Sequence, residues 1–117
     1  MAQQQRVLVN PAYTSTMNSI PGFQIIQNIG IVRGLTVRTP NVGKAIFAGY
    51  AALGGGESSV YMEMAEKARE TAFQRMLEHA GAKGANGVIG VRYDAQEVMQ
   101  GMTEVLAYGT AVIIAPL

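Results

Sequence analysis

The feature that most constrains the fold is a long segment near the end of the chain, Glu104–Ala115, which has apolar residues on both faces of a strand. Successive side chains of a strand point to opposite faces. One face carries Val105, Ala107, Gly109, Ala111 and Ile113, and the other carries Leu106, Tyr108, Val112 and Ile114. A strand that is apolar on both faces is covered on both. We therefore expect a helical layer on one side and, on the other, either a second subunit or the N-terminal arm.

The remaining elements predict an α+β fold, a small antiparallel sheet packed by a short and a long helix. Phe23–Val37 is rich in β-branched residues and predicts two strands broken at Gly30 or Gly34, since a glycine inside a strand marks a bulge or bend. Val88–Tyr93 predicts a further strand, joined to the last one by a polar connection through Gln100 and Gly101.

Two segments predict the helices. The short one is Val42–Leu53, which Asn41 can cap, and the long one runs from Ser58 or Ser59 to about His79 or Ala80. Residues at three- and four-residue steps give the long helix one apolar stripe, made of Tyr61, Ala65, Ala68, Ala72 and Met76. Because several of these are alanine, we expect the helix to lie very close to the sheet.

The domain organisation is predicted as an N-terminal arm, residues 1–15, followed by a single domain, residues 16–117. Within the arm, Val7–Val9 is a short apolar run that could form an edge strand, on a neighbouring subunit in one interpretation. Ile20–Gly22 predicts a turn, because proline fixes one φ angle and glycine accepts the next.

The charge content points towards self-association. Asp, Glu, Lys and Arg make up 15% of the chain, against about 25% in an average soluble domain. A small protein with so few charges is either a neutral, Gly- and Ala-rich monomer or buries surface against copies of itself. The net charge of +1 gives no field that would attract nucleic acid, no apolar run spans a membrane, and we expect a cytoplasmic protein.

Catalytic and cofactor signals are weak, and the sequence predicts no enzyme and no cofactor. His79 is the sole histidine and suits a structural position near a helix C-terminus. Glu66 and Glu70 lie among basic residues, as on a solvated helix face. Asn41–Lys44 lacks the spacing of a phosphate-binding loop, and Gly54–Gly56 fits a hinge before a capped helix. The chain has no cysteine, so we expect no tight binding of thiophilic metals.

A set of motifs resembles the YbjQ family. The resemblance covers about residues 16 to 113 and is carried by Thr16–Phe23, Gly30–Val32 with Gly34, Asn41–Lys44, Phe47–Gly49, Gly55 and Gly56 with Ser58 and Tyr61, Lys67–Glu70, Gly84–Val91, Arg92–Asp94 and Gly109–Val112. It implies a YbjQ-like or dodecin-like subunit, with a helix pair on an antiparallel sheet, that assembles into a ring, a pentamer. The family has no agreed activity and carries a label of heavy-metal binding.

The sequence departs from the family pattern where charge is expected. Glu57 stands in place of an arginine, and Ala45, Ala51 and Ala52 stand where charged residues are common. The leading hypothesis is therefore a non-enzymatic, ring-forming homo-oligomer. The alternative is a module that binds a metal or small molecule at the subunit interface or ring axis, with Arg92, Asp94 and Glu97 as candidate binding residues and no residue assigned as a metal ligand.

Overall fold

The computed structural model describes residues 8–38 and 59–117. In these ranges the chain forms a 3-10 turn at Pro11–Tyr13, strand β1 at Phe23–Arg38, helix α1 at Ser59–Ala82, strand β2 at Gly87–Met99 and strand β3 at Met102–Pro116. The three strands make one antiparallel sheet in the order β1-β3-β2. This confirms the predicted α+β class and antiparallel sheet. The predicted short helix, Val42–Leu53, lies outside the described residues.

Strand β3 is the central strand of the sheet. Its odd-numbered residues from Val105 to Ala111 are buried on the side of α1, in the main core with Val32, Met76 and Val88. Its register pairs Gly109 with Val32 of β1, and both residues lie on the helix side. Strands β1 and β2 thus pair with the two edges of β3, and α1 covers one of its faces.

The prediction of two strands in Phe23–Val37 is wrong, because β1 is one continuous strand. Register shifts between Ile25 and Gln27 and between Asn28 and Gly30 absorb the irregularity as bulges. Gly30 has a φ of 135°, which marks the second bulge as the sequence suggested. Gly34 does not break the strand, since its φ is not in the left-handed region. Its missing side chain instead lets the backbone of α1 pack directly on β1.

The β2–β3 connection is much shorter than predicted. Both strands extend past the predicted Val88–Tyr93 and Glu104–Ala115, and only Gln100 and Gly101 form the turn, where Gly101 has a φ of 78°. The residues of β2 after Tyr93 are all exposed and mix polar with apolar side chains, so apolar alternation does not identify them as strand. Pairing with β3 nevertheless satisfies their backbone, which is sufficient to extend a hairpin.

Helix α1 packs on β1 and β3 through the alanine-rich stripe. Ala68, Ala72 and Met76 are buried, as predicted, but Tyr61 and Ala65 are exposed. Gly84 follows the end of the helix and has a φ of 86°. On either side of it, the backbone N–H groups of Lys83 and Ala85 donate to carbonyls of the last helical turn. No helix in the described part of the chain is long and apolar enough to cross a membrane.

The N-terminal segment packs on its own chain. Val9 is buried in the main core and its N–H donates to the carbonyl of Leu77 at 3.3 Å, so Leu8 and Val9 do not form the suggested edge strand. Val7 lies outside the described residues. Further on, Ser15 exchanges backbone hydrogen bonds with Val88 and Val91 of β2, both 3.0 Å long. This part of the arm therefore lies beside β2 like a short fourth strand.

The arm, together with the residues that follow it, also covers one end of the sheet face that points away from α1. Ile20, Val112 and Ile114 form a second buried cluster there. Tyr13 and Phe23 pack on this cluster and contact each other edge to face, with ring centroids 5.1 Å apart. The predicted turn supports this arrangement, since the Phe23 N–H donates to the Ile20 carbonyl at 3.1 Å. The arm thus supplies part of the second cover that β3 requires.

Candidate functional site

The rest of that face has no cover in the described structure, and we call it the open face. Its residues follow from the strand register, because directly paired residues of antiparallel strands share a face. It comprises Ile31, Arg33, Leu35 and Val37 of β1, Glu104, Leu106, Tyr108 and Thr110 of β3, and Arg92, Asp94 and Gln96 of β2.

The open face carries several exposed apolar side chains, and Arg33 lies between Ile31 and Leu35 along β1. Ile31 is 72% exposed, Leu35 41% and Tyr108 37%, and Leu35 pairs directly with Leu106. Monomeric proteins rarely leave a large contiguous apolar patch in water, and such patches mark interaction sites. The open face can therefore gain free energy by being covered.

The free edge of β1 is capped by side chains from α1. His79 Nδ1 lies 3.0 Å from the Arg33 amide nitrogen and 3.2 Å from its carbonyl oxygen. Arg75 donates from a guanidinium nitrogen to the Leu35 carbonyl at 2.7 Å. An open strand edge is a template for pairing with another chain. The two side chains bond to the backbone groups at the middle of this edge, so those groups are not free to pair with another strand. His79 therefore has a structural contact in addition to its place near the helix C-terminus.

The outer edge of β2 is capped in a similar way, by two of the predicted binding residues. A guanidinium nitrogen of Arg92 donates to the carbonyls of Thr16, at 2.8 Å, and Val91, at 2.9 Å. Asp94 Oδ1 accepts from the Ala95 N–H at 3.0 Å. Arg92 thus ties the residue that follows the N-terminal arm to β2, next to the bond from the Gly90 N–H to the Met17 carbonyl.

Glu97, the third predicted binding residue, lies on the other side of the sheet. It pairs with Thr103, whereas Arg92 and Asp94 pair with the open-face residues Tyr108 and Leu106. The structure brings Arg92 and Asp94 to one face of one subunit and does not bring Glu97 to them.

A pocket of about 180 Å³ lies between α1 and β2, lined by Arg69, Tyr93, Asp94, Ala95 and Val105. The guanidinium carbon of Arg69 lies 5.7 Å from the Tyr93 ring centroid, within range of a cation–π interaction. Burial raises the pKa of the Tyr93 phenol above its ordinary value, and Glu70 adds to the shift while Arg69 opposes it. No sequence pattern indicates this pocket, because Arg69, Tyr93 and Val105 are far apart in the chain and each is ordinary alone.

The described residues hold no group of three or more His, Cys, Asp or Glu side chains placed to bind a metal ion. Within one described subunit, Asp94 is the only candidate binding residue with a carboxylate on the open face. Glu104 supplies the other carboxylate of that face, so a metal site with three or more carboxylate ligands there would need more than one copy of the chain.

A sequence model of the YbjQ family, described as "Putative heavy-metal-binding", matches residues 12–115. The chain belongs to the YbjQ family. This confirms the resemblance seen in the sequence motifs, and the match also includes four residues of the arm.

Curated relatives carry names without an activity. UPF0145 proteins from Solibacter usitatus, Legionella pneumophila and Thermus thermophilus are 45%, 52% and 49% identical to this chain. The alignments cover 93%, 86% and 87% of this chain and 97%, 95% and 90% of the relatives, in the same order. The chain thus spans nearly the whole length of each.

A solved structure from Pediococcus pentosaceus has a similar fold. It is a protein of unknown function from the DUF74 family, with a TM-score of 0.58, 17% sequence identity, and coverage of 88% of this chain and 97% of that one. At this identity the likeness concerns the fold alone, and it agrees with the α+β architecture described above.

Proposed function

We propose that this chain is a non-enzymatic subunit that assembles with copies of itself, and that the open face is buried in the assembly. The observation that carries the proposal is the exposed apolar patch around Ile31, Leu35 and Tyr108. Burying apolar surface contributes about 25 cal/mol per Å². A patch of this kind therefore provides a driving force for association.

Two features favour association through the face rather than through strand edges. His79 and Arg75 occupy the middle of the β1 edge, and the arm with Arg92 and Asp94 occupies much of the β2 edge. Pairing an additional strand at either place would first have to displace these contacts. Packing on the open face displaces nothing that the described residues form.

The partner that fits best is a second copy of this chain. Only 15% of the residues are charged, so a single subunit has few charged side chains with which to cover its surface. This favours a permanent assembly of identical subunits. A closed ring gives every copy the same environment and leaves no open face. The pentameric form of that ring rests on the family resemblance.

The non-enzymatic part of the proposal rests on the chemistry of the available groups. The single histidine, His79, has Nδ1 engaged with the Arg33 backbone rather than with a nucleophile. The names of the curated relatives assign no reaction. General acid–base and nucleophilic catalysis both require a positioned base beside a reacting group.

The alternative function is a binding module for a metal or small molecule, with Arg92, Asp94 and Glu97 as candidate residues at an interface between copies. The pocket between α1 and β2 supports the small-molecule version of this alternative, since it offers a concave surface with the Tyr93 ring and the Arg69 guanidinium. Calorimetric titration with Cd²⁺ tests the metal version. Because thiolates are absent, we expect no tight, stoichiometric binding.

Substitution of an open-face residue tests the proposed assembly. Ile31→Asp places a charge on the most exposed apolar residue of the open face, so the variant should remain folded by circular dichroism but lose its assembled mass in light scattering. Met62→Asp is the matched control, because Met62 is an exposed apolar residue of α1 outside the open face. An Ile31→Asp variant with the unchanged mass of the parent would contradict the proposed surface.

A further inference from the structure

The Asn86 side chain takes the place of a strand residue opposite Ile114. Its Oδ1 accepts from the Ile114 N–H at 2.7 Å and its Nδ2 donates to the Ile114 carbonyl at 3.0 Å. Its own backbone N–H donates to the Val112 carbonyl at 3.1 Å. The primary amide thus reproduces the donor and acceptor pair of a peptide group and lengthens the β2–β3 pairing beyond Gly87.

Gly87 is fixed by a different requirement. A Cβ at this position would lie 3.3 Å from Ile20 Cδ1 and from the Tyr13 carbonyl oxygen, and 3.4 Å from Ile114 Cδ1. Two of these distances are tighter than ordinary van der Waals contact, so a larger residue would push the arm away from the sheet. The fold therefore needs an asparagine and a glycine side by side.

This dipeptide is chemically labile, and we propose that Asn86 is a deamidation site that the folded state protects and unfolding exposes. The backbone nitrogen of Gly87 attacks Asn86 Cγ and loses its proton, while the Asn86 amide leaves as ammonia and a cyclic succinimide forms. Water then opens the ring to aspartate or isoaspartate. The net reaction consumes one water and releases one ammonia, with no oxidation or reduction. Glycine favours the attack because it has no Cβ to obstruct the nitrogen.

Protection comes from hydrogen bonding rather than from burial, because Asn86 itself is exposed to solvent. The attack requires Asn86 Cγ to turn towards the Gly87 nitrogen, which breaks both bonds to Ile114. Gly87 is held at the same time by its pairing with Val112. Loss of two hydrogen bonds of about 1 kcal/mol each corresponds to a reaction about 30-fold slower in the folded chain.

Deamidation also removes the contact that prevented it. A carboxylate has no N–H for the Ile114 carbonyl and places an oxygen against it, while isoaspartate lengthens the backbone by one methylene at the start of β2. A chain that reacts while unfolded therefore refolds to a less stable state. Aspartate or isoaspartate at position 86 therefore identifies chains that have been unfolded. This holds whether or not the chain assembles.

Peptide mapping by mass spectrometry tests the proposal, with Asn18 as an internal control. Asn18 precedes Ser19, is exposed, and has a side chain that no described hydrogen bond holds. In mildly alkaline buffer the folded protein should convert Asn18 faster than Asn86. In urea the order should reverse, since of these two only Asn86 precedes glycine, and its rate should rise about 30-fold. A folded-state rate at Asn86 equal to its rate in urea, or above that of Asn18, would overturn the proposal.

Discussion

Gly34 of β1 lies directly beneath the backbone of Ala72 in α1. A Cβ on Gly34 would overlap the Ala72 carbonyl oxygen and the Met76 amide nitrogen, and it would lie 2.6 Å from the carbonyl carbon of Arg75. Backbone atoms cannot rotate away as a side chain can. The close approach of helix and sheet, predicted from the alanines of α1, therefore depends on one glycine of the strand.

Gly34→Ala should consequently destabilise the protein by more than about 3 kcal/mol, because the whole helix must shift. Urea unfolding measures the change. The control is Gly30→Ala, since nothing lies within 4 Å of a Cβ there and only the positive φ is unfavourable, a cost of about 1–3 kcal/mol. Equal costs at the two positions would contradict the account of helix packing.

The edge caps on β1 give a local prediction. His79→Ala removes the acceptor for the Arg33 N–H, so that amide should exchange its hydrogen faster in native-state exchange measurements, with a stability loss of about 1 kcal/mol. Arg75→Ala should expose the Leu35 carbonyl at a similar cost. Gln74→Ala is the control, because Gln74 bonds Glu70 on its own helix and no strand. Unchanged exchange at Arg33 in His79→Ala would show that the cap does not form.

The Tyr93 phenol should titrate above the ordinary tyrosine value of 10.0, because burial and Glu70 raise its pKa. Glu70→Gln should lower this pKa and Arg69→Ala should raise it further, as followed by ultraviolet absorbance against Tyr93→Phe. A raised folded pKa means that the folded state retains the proton more strongly. The contribution of Tyr93 to stability is therefore fully present below the unfolded pKa and is lost as the pH rises through its folded pKa.

Charges on the two ends of the face opposite α1 should act differently. Val112 is buried within its own chain by the arm, so Val112→Asp should unfold the subunit, at a cost of several kcal/mol for an unpaired buried charge. Leu106→Asp lies on the open face and should leave a folded but dissociated subunit. Circular dichroism combined with light scattering separates the two results. Unfolding by both variants would mean that the open face is required for folding of the subunit.

The sequence predicted those elements whose pattern repeats locally. The two apolar faces of β3 and the Ala68–Met76 stripe of α1 follow directly from residue spacing. The continuity of β1 did not, because a glycine in a strand is compatible with either a break or a bulge. Only the pairing of Gly30 with Ala111 of β3 decides between them.

The site was less predictable than the fold, because its contacts join distant parts of the chain. The sequence indicates Arg92 only as a charged residue at a strand end, and it is the folded position of Thr16 that lets Arg92 hold the segment after the arm against β2. The pairing of His79 with the edge of β1 likewise joins residues 46 positions apart. Local pattern contains no information about such partners.

The measurement that tests the central claim most directly is native mass spectrometry of the unmodified protein at micromolar concentration. Self-assembly through the open face predicts a single species at a multiple of the 12.4 kDa chain, with five copies if the ring is the pentamer that the family resemblance implies. A retained ligand would appear as additional mass in the same spectrum. A species at 12.4 kDa alone would contradict self-assembly.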